Sequence, residues 1–245
     1  MAQGTQKTAG VMGGMGPDAT VDFMAKVVAL TDSGRDQDHV HMIVDQDPGV
    51  PNRQEAIRNG SPDVTRALGI MAKRLEDAGA DFLVLVCNTA HVFLDDVHAR
   101  TIIPFISIVD ESVREIERVC PDAKRVGVMA TDGCLETNIY QDAVTASGRE
   151  AIEPEGDDLA ELMRLITEIK AGNQGQDIAI AMQEIANSLV AKGADVLISG
   201  CTEIPIVFDG ENCPVPVIAS TYVLAERTLE YAKGLKPLPE KRRNK

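Results

Sequence analysis

Cys87 and Cys201 each end an apolar run and are followed at once by groups able to hold an anion, in "LVLVCNTAH" (83–91) and "VLISGCTEIP" (196–205). They lie 201 − 87 = 114 residues apart, and "AGAD" (78–81) precedes the first as "KGAD" (192–195) precedes the second. A lone cysteine at a strand end is ordinarily packing, and that reading suits Cys120, Cys134 and Cys213. The matched pair leaves three functional readings open. A disulfide fits poorly with a reducing compartment. A zinc site could recruit His91 or His98, but structural zinc takes four ligands at short spacings, which this sequence lacks. Acid/base chemistry on the two faces of one carbon needs two equivalent groups, and a duplicated segment supplies them. Thiols suit that task because their ordinary pKa of about 8.5 lets thiol and thiolate both be populated near neutrality.

Three further features could hold a substrate. "GGMGP" (13–17) joins an expected strand to an expected helix, and its glycines would let backbone N–H groups approach an anion. In "VPNRQEA" (50–56), Arg53 falls in an expected loop, and arginine is the best bidentate carboxylate clamp. Lys170 closes the helix that runs into "EIKAGN" (168–173), where the helix dipole favours a cation.

The elements that must position these residues are those of an α/β protein with parallel strands, because apolar runs of four to seven residues alternate with stretches of helical period. Strands are expected at 8–13, 41–46, 81–87, 105–109, 125–130, 195–201 and 215–219. The clearest helix follows "NGSPD": Ser61 suits the N-cap, Pro62 the first position, and Val64, Leu68, Met71 and Leu75 form one stripe ending near Gly79. Others are expected at about 18–31, 111–119, 133–146, 157–171, 177–192 and 221–232. "GVMGGMGPDATVDFMAKVV" opens the chain and "GVMATDGCLETNIYQDAV" opens its second half, so the repeat extends well beyond the cysteines. The expected architecture is two pseudo-symmetric three-layer α/β/α lobes, residues 1–109 with a returning helix in 221–245, and residues 110–220. Ligands gather at the carboxyl ends of parallel strands, which would aim both cysteines into one active site between the lobes.

The 245 residues are 44% hydrophobic, enough for a sizeable core. A net charge of −14 argues against nucleic acid, and the basic run "KRRNK" (241–245) is too short to reverse it. No apolar stretch reaches the roughly 20 residues of a membrane span, and the N-terminus lacks a secretory signal core, so the expectation is a cytoplasmic protein without a membrane partner. Five cysteines without a pairing pattern are expected as free thiols.

The motifs "GGMGPDAT" (13–20), "PNRQEAI" (51–57), "CNTAH" (87–91), "EIKAG" (168–172) and "GCTEIP" (200–205), in this order, make the chain resemble the aspartate/glutamate racemase family over essentially its whole length. The resemblance implies two similar α/β lobes, no pyridoxal phosphate or other cofactor, no metal, and a homodimer acting on a small amino acid. It assigns paired acid/base roles to Cys87 and Cys201. It further implies that Arg53 and Lys170 bind a side-chain carboxylate, that Asn88, Thr89 and Thr202 bind the α-carboxylate region, and that Met15, Asn52 and Glu203 also line the substrate. The chain departs from the family pattern at Asn52, where an acidic residue often precedes the arginine. The family also contains isomerases of unsaturated diacids and decarboxylases. Retention of both thiols favours racemisation, with a maleate-type isomerase or a silent acidic-amino-acid-binding protein as the alternatives.

Overall fold

The computed structural model describes residues 6–240, so the basic run at 241–245 lies outside the described residues. Contacts divide the chain into two compact units, one running to Ile108 and resuming at Leu224, the other Val109–Val223. The expected boundaries at 109/110 and 220/221 differ from these by one and three residues, because a helix runs through each of them.

The first unit contains β1 (Ala9–Gly13), α1 (Pro17–Leu30), β2 (Met42–Gln46), α2 (Arg53–Asn59), α3 (Asp63–Asp77), β3 (Phe82–Leu85), α4 (Leu94–His98) and β4 (Phe105–Ile106). Its sheet is parallel throughout, in the order β2-β1-β3-β4. β1 and β3 are buried along their whole length, which is why they read as continuous apolar runs and not as alternating ones.

The second unit contains α5 (Ile108–Val119), β5 (Arg125–Met129), α6 (Asp132–Glu136), α7 (Ile139–Ala146), β6 (Glu150–Ile152), α8 (Asp157–Lys170), α9 (Gln176–Ala191), β7 (Val196–Ser199), α10 (Ile204–Val207), β8 (Val217–Ala219) and the start of α11 (Ser220–Ala232). Its sheet is again parallel, in the matching order β6-β5-β7-β8. The end of α11 belongs to the first unit, where Tyr231 meets Phe82 with ring centroids 6.4 Å apart and the carbonyl of Ala232 accepts from the amide of Lys7 at 2.9 Å.

The repeat survives at the level of single contacts. A side chain on Gly10 of β1 would collide with Leu83 and Ala80 and crowd Leu75; one on Gly127 of β5 would meet Leu197, Ala194 and Leu189, the residues 114 further on in each case. Each strand therefore needs glycine where the long helix crosses it. The helices α3 and α9 end alike, with Gly79 and Gly193 both at φ 97°, the left-handed conformation that a helix stop favours. The aspartate after each glycine-alanine pair then ties the helix to the first strand of its sheet. Asp81 exchanges bonds with Thr8, accepting its amide at 2.7 Å, while Asp195 accepts the amides of Lys124 and Arg125 at 2.9 Å. That is the structural meaning of the repeated Gly-Ala-Asp.

Several expectations are corrected. Arg53 lies in no loop: it is the first residue of α2, a helix too short to show a period. The strand expected at 105–109 stops at Ile106, and Ile108 already begins α5, so β-branched residues misled where helix packing decided the outcome. The helix expected at 133–146 breaks at Asn138, whose left-handed φ of 57° separates α6 from α7. β6 was not expected, being three residues long and half exposed. The third helix starts at Asp63 instead of Pro62, with the Ser61 hydroxyl accepting the Asp63 amide at 3.3 Å.

Candidate active site

In each sheet the chain leaves the first strand for one edge and returns for the other, so the strand order reverses between β1 and β3 and between β5 and β7. Ligands of open parallel sheets bind outside the carboxyl ends of the strands at such points. The segments emerging there are the glycine turn after β1 and Cys87 after β3 in the first unit, and Thr131–Asp132 and Cys201 in the second. Both cysteines stand two residues beyond their strand. The intervening residues bond back to the neighbouring strand, Val86 to the Met12 carbonyl at 3.0 Å and Gly200 to the Met129 carbonyl at 2.8 Å. Cys87 and Cys201 are each 5% exposed, and all five cysteines are free thiols.

Around Cys87 the structure gathers Met15, Val50 and Ala56 into one buried cluster with the thiol, and α2 packs against the 3₁₀ turn Thr89–Phe93 that follows it. The glycine turn is shaped for close packing: Gly14 has φ 93° and lies against the backbone of Asp47, and its amide already donates to the Thr20 hydroxyl at 2.9 Å. That amide is thus spoken for and is not among the backbone N–H groups of the turn that could meet an anion. Asn52 is the N-cap of α2, its side-chain oxygen accepting the Glu55 amide at 3.2 Å. Arg53 donates through Nη1 to the carbonyls of Val50 and Pro51 at 3.2 and 3.0 Å, while its Nε is buried without a hydrogen-bond acceptor among the described residues. Asn88 and Thr89 are buried beside the thiol.

His91 is a structural part of this region. Its Nε2 accepts the Ile108 amide at 3.2 Å, which assigns the proton to Nδ1, and Nδ1 donates to the Cys87 carbonyl at 2.8 Å. Both ring nitrogens are therefore engaged, which removes the lone pair that a zinc ion would need. Among the described residues no group of three or more His, Cys, Asp or Glu side chains is placed to hold a metal.

Cys201 has a different neighbourhood. Its thiol donates to Glu203 Oε2 at 3.0 Å, the Thr202 hydroxyl donates to the same oxygen at 3.1 Å, and Lys170, the last residue of α8, places Nζ 3.7 Å from Glu203 Oε1. Glu203 is 3% exposed. Burial pushes the Cys201 thiol well above its ordinary pKa, the Glu203 charge adds to that, and Lys170 opposes it. Lys170 is thus held by a buried carboxylate of the protein itself, a link that motif reading did not reveal. Behind the cysteine lies Tyr140, also missed: a Cβ on Gly200 would come to 3.0 Å from its ring. Its phenol is fully buried and raised far above the usual range by burial first and by the neighbouring Cys134, against hydrogen bonds with Ser112 and Ser220. The only signal in the sequence was a tyrosine in a helix with few other aromatics.

So Met15 shares the buried cluster of Cys87, which Asn88 and Thr89 follow in the chain, Arg53 begins the helix that packs against the turn after that thiol, and Thr202, Glu203 and Lys170 are linked to Cys201, each set within its own unit. Comparison with known proteins bears on the family and the fold. A broad-specificity amino-acid racemase of Bacillus subtilis is 30% identical over 224 residues, covering 90% of this chain and 96% of the relative. The structure of Picrophilus torridus aspartate racemase superposes with a TM-score of 0.81 at 28% identity, over 95% of this chain and 96% of that one. An aspartate racemase homologue from Pyrococcus horikoshii gives 0.75 at 26% identity, over 92% of this chain and 99% of that one. The sequence model of Asp/Glu/Hydantoin racemases matches residues 12–228, a span that holds both cysteines and every substrate-site candidate, and on this ground the chain belongs to the Asp/Glu/hydantoin racemase family.

Proposed function

We propose that this protein racemises an amino acid without a cofactor, aspartate or glutamate in preference to neutral ones, with Cys87 and Cys201 as the two acid/base groups. One thiolate takes the α-proton, the other thiol delivers a proton to the opposite face, and the roles exchange in the reverse direction. The observation that carries this reading is that the two thiols occupy the same place, two residues past the corresponding strand, in two copies of one fold. Arg53, with Nε buried and lacking an acceptor, supports an anionic substrate. The similarity to a broad-specificity racemase and to an aspartate racemase supports the reaction class and leaves the acidic preference to Arg53. Among the described residues no helix is long and apolar enough to cross a membrane. A cytoplasmic homodimer is part of the proposal, on the resemblance to the racemase family alone.

Proton NMR of L- and D-amino acids in deuterated water, with protein dialysed against chelator and hydroxylamine, tests this. The expected result is loss of the α-proton signal from both enantiomers of aspartate or glutamate. Faster exchange of alanine, or activity restored only by pyridoxal phosphate or a metal, would overturn it.

A further inference from the structure

The two copies differ at the position two residues after the cysteine: Thr89 follows Cys87, and 89 + 114 = 203 is Glu203. Everything around that glutamate is arranged to keep it as a buried carboxylate. It receives hydrogen bonds from the Cys201 thiol at 3.0 Å and the Thr202 hydroxyl at 3.1 Å on one oxygen, and faces Lys170 at 3.7 Å with the other. A buried carboxylate is tolerated where a cation and donors compensate it, and these do. A hydroxyl at the equivalent site after Cys87 carries no such charge.

We propose that Glu203 is a positioning residue that holds the proton on Cys201 in the resting protein, so that Cys201 waits as the acid. The catalytic part of this inference rests on the racemase reading; the proton-holding part does not. In the first turnover the α-C–H bond breaks toward the Cys87 sulfur, which gains the proton. The electron pair left on the α-carbon takes the proton of Cys201, whose S–H bond breaks. The resulting Cys201 thiolate stands beside the Glu203 carboxylate, and this like-charge contact, moderated by Lys170, favours return of a proton to Cys201. The duplication thus supplies two thiols, and the carboxylate beside the second makes them unequal.

Iodoacetamide labelling of the full-length protein without substrate, resolved by peptide mass spectrometry from about pH 6 to 10, reads each thiol separately. With Glu203→Gln, the Cys201 profile is expected to move to lower pH, raising its labelling near pH 8 by on the order of tenfold, while Cys87, Cys120 and Cys213 keep their profiles. The kcat/KM limb belonging to Cys201 should move the same way. Glu203→Asp retains the charge but withdraws it by one methylene; it should give an intermediate profile, and it serves as the probe if the glutamine variant does not fold. An unchanged Cys201 profile in a folded variant, or a shift shared by all the cysteines, overturns the proposal. Failure of the racemase reading would appear differently, as no α-proton exchange in the unmutated protein despite the labelling shift.

Discussion

An arginine that gives Nη1 to two carbonyls of its own turn while Nε stays buried without an acceptor is costly unless a ligand completes it. Among the described residues no carboxylate pairs with Arg53, in contrast to Lys170, which already faces Glu203. Under the proposed function Arg53 is therefore the better placed of the two to receive a substrate carboxylate, because Lys170 already faces Glu203. Arg53→Ala is expected to weaken kcat/KM for an acidic substrate by about 2 to 5 kcal/mol, the range for breaking one side of a desolvated charge pair. Arg53→Lys should recover little of it, because an ammonium cannot reproduce the planar fork. Steady-state kinetics on aspartate and on a neutral amino acid checks both points: an equal loss on the two would mean that Arg53 supports the fold of α2 and not the ligand.

At the scale of elements, long strands and helices were legible because their burial leaves a run or a stripe in the sequence, as Val64, Leu68, Met71 and Leu75 of α3 show. Short elements were not. α2 spans seven residues and α10 four, less than the window in which a helical period can be counted, so Arg53 was read as a loop residue. One tie is legible only in three dimensions: Glu76, near the end of α3, accepts from the Thr101 hydroxyl, the Ile102 amide at 2.9 Å and Lys73 at 3.0 Å, anchoring the turn before β4. The hydrogen bond from Thr101 above all lowers its carboxyl from 4.5 to about 2. Because the folded pKa is depressed, the stabilisation is fully present above about pH 4.5 and is lost as pH falls toward about 2. Glu76→Gln should therefore melt below the parent near neutral pH, and the gap between the two melting curves should close across that acid window. A gap independent of pH would assign the effect to packing of the helix end instead.

For the whole molecule, the duplication was the most legible feature, since strand order, glycine contacts, helix stops and cysteine positions all repeat at an offset near 114 residues. What breaks the repeat was only partly legible: the sequence marks Glu203 as differing from Thr89 and as a substrate-lining candidate, but its bond with the Cys201 thiol shows only in three dimensions. The reaction as proposed asks each half of the duplication for one base, and this has a consequence that no single site could mimic. Serine retains a proton to donate but does not readily become the anionic base near neutral pH. Cys87→Ser should leave Cys201 able to exchange the α-proton of only one enantiomer, and Cys201→Ser should leave Cys87 able to exchange only the other, while net inversion falls by about 10²-fold or more in both. If Glu203 holds the Cys201 proton at rest, the two variants should also be unequal, with the exchange that depends on Cys201 as base rising at higher pH than the one that depends on Cys87. Deuterium wash-in measured separately on L- and D-aspartate distinguishes the possibilities: the same enantiomer exchanged by both variants would refute the pairing of the thiols, and about half the activity retained by each would indicate two independent sites.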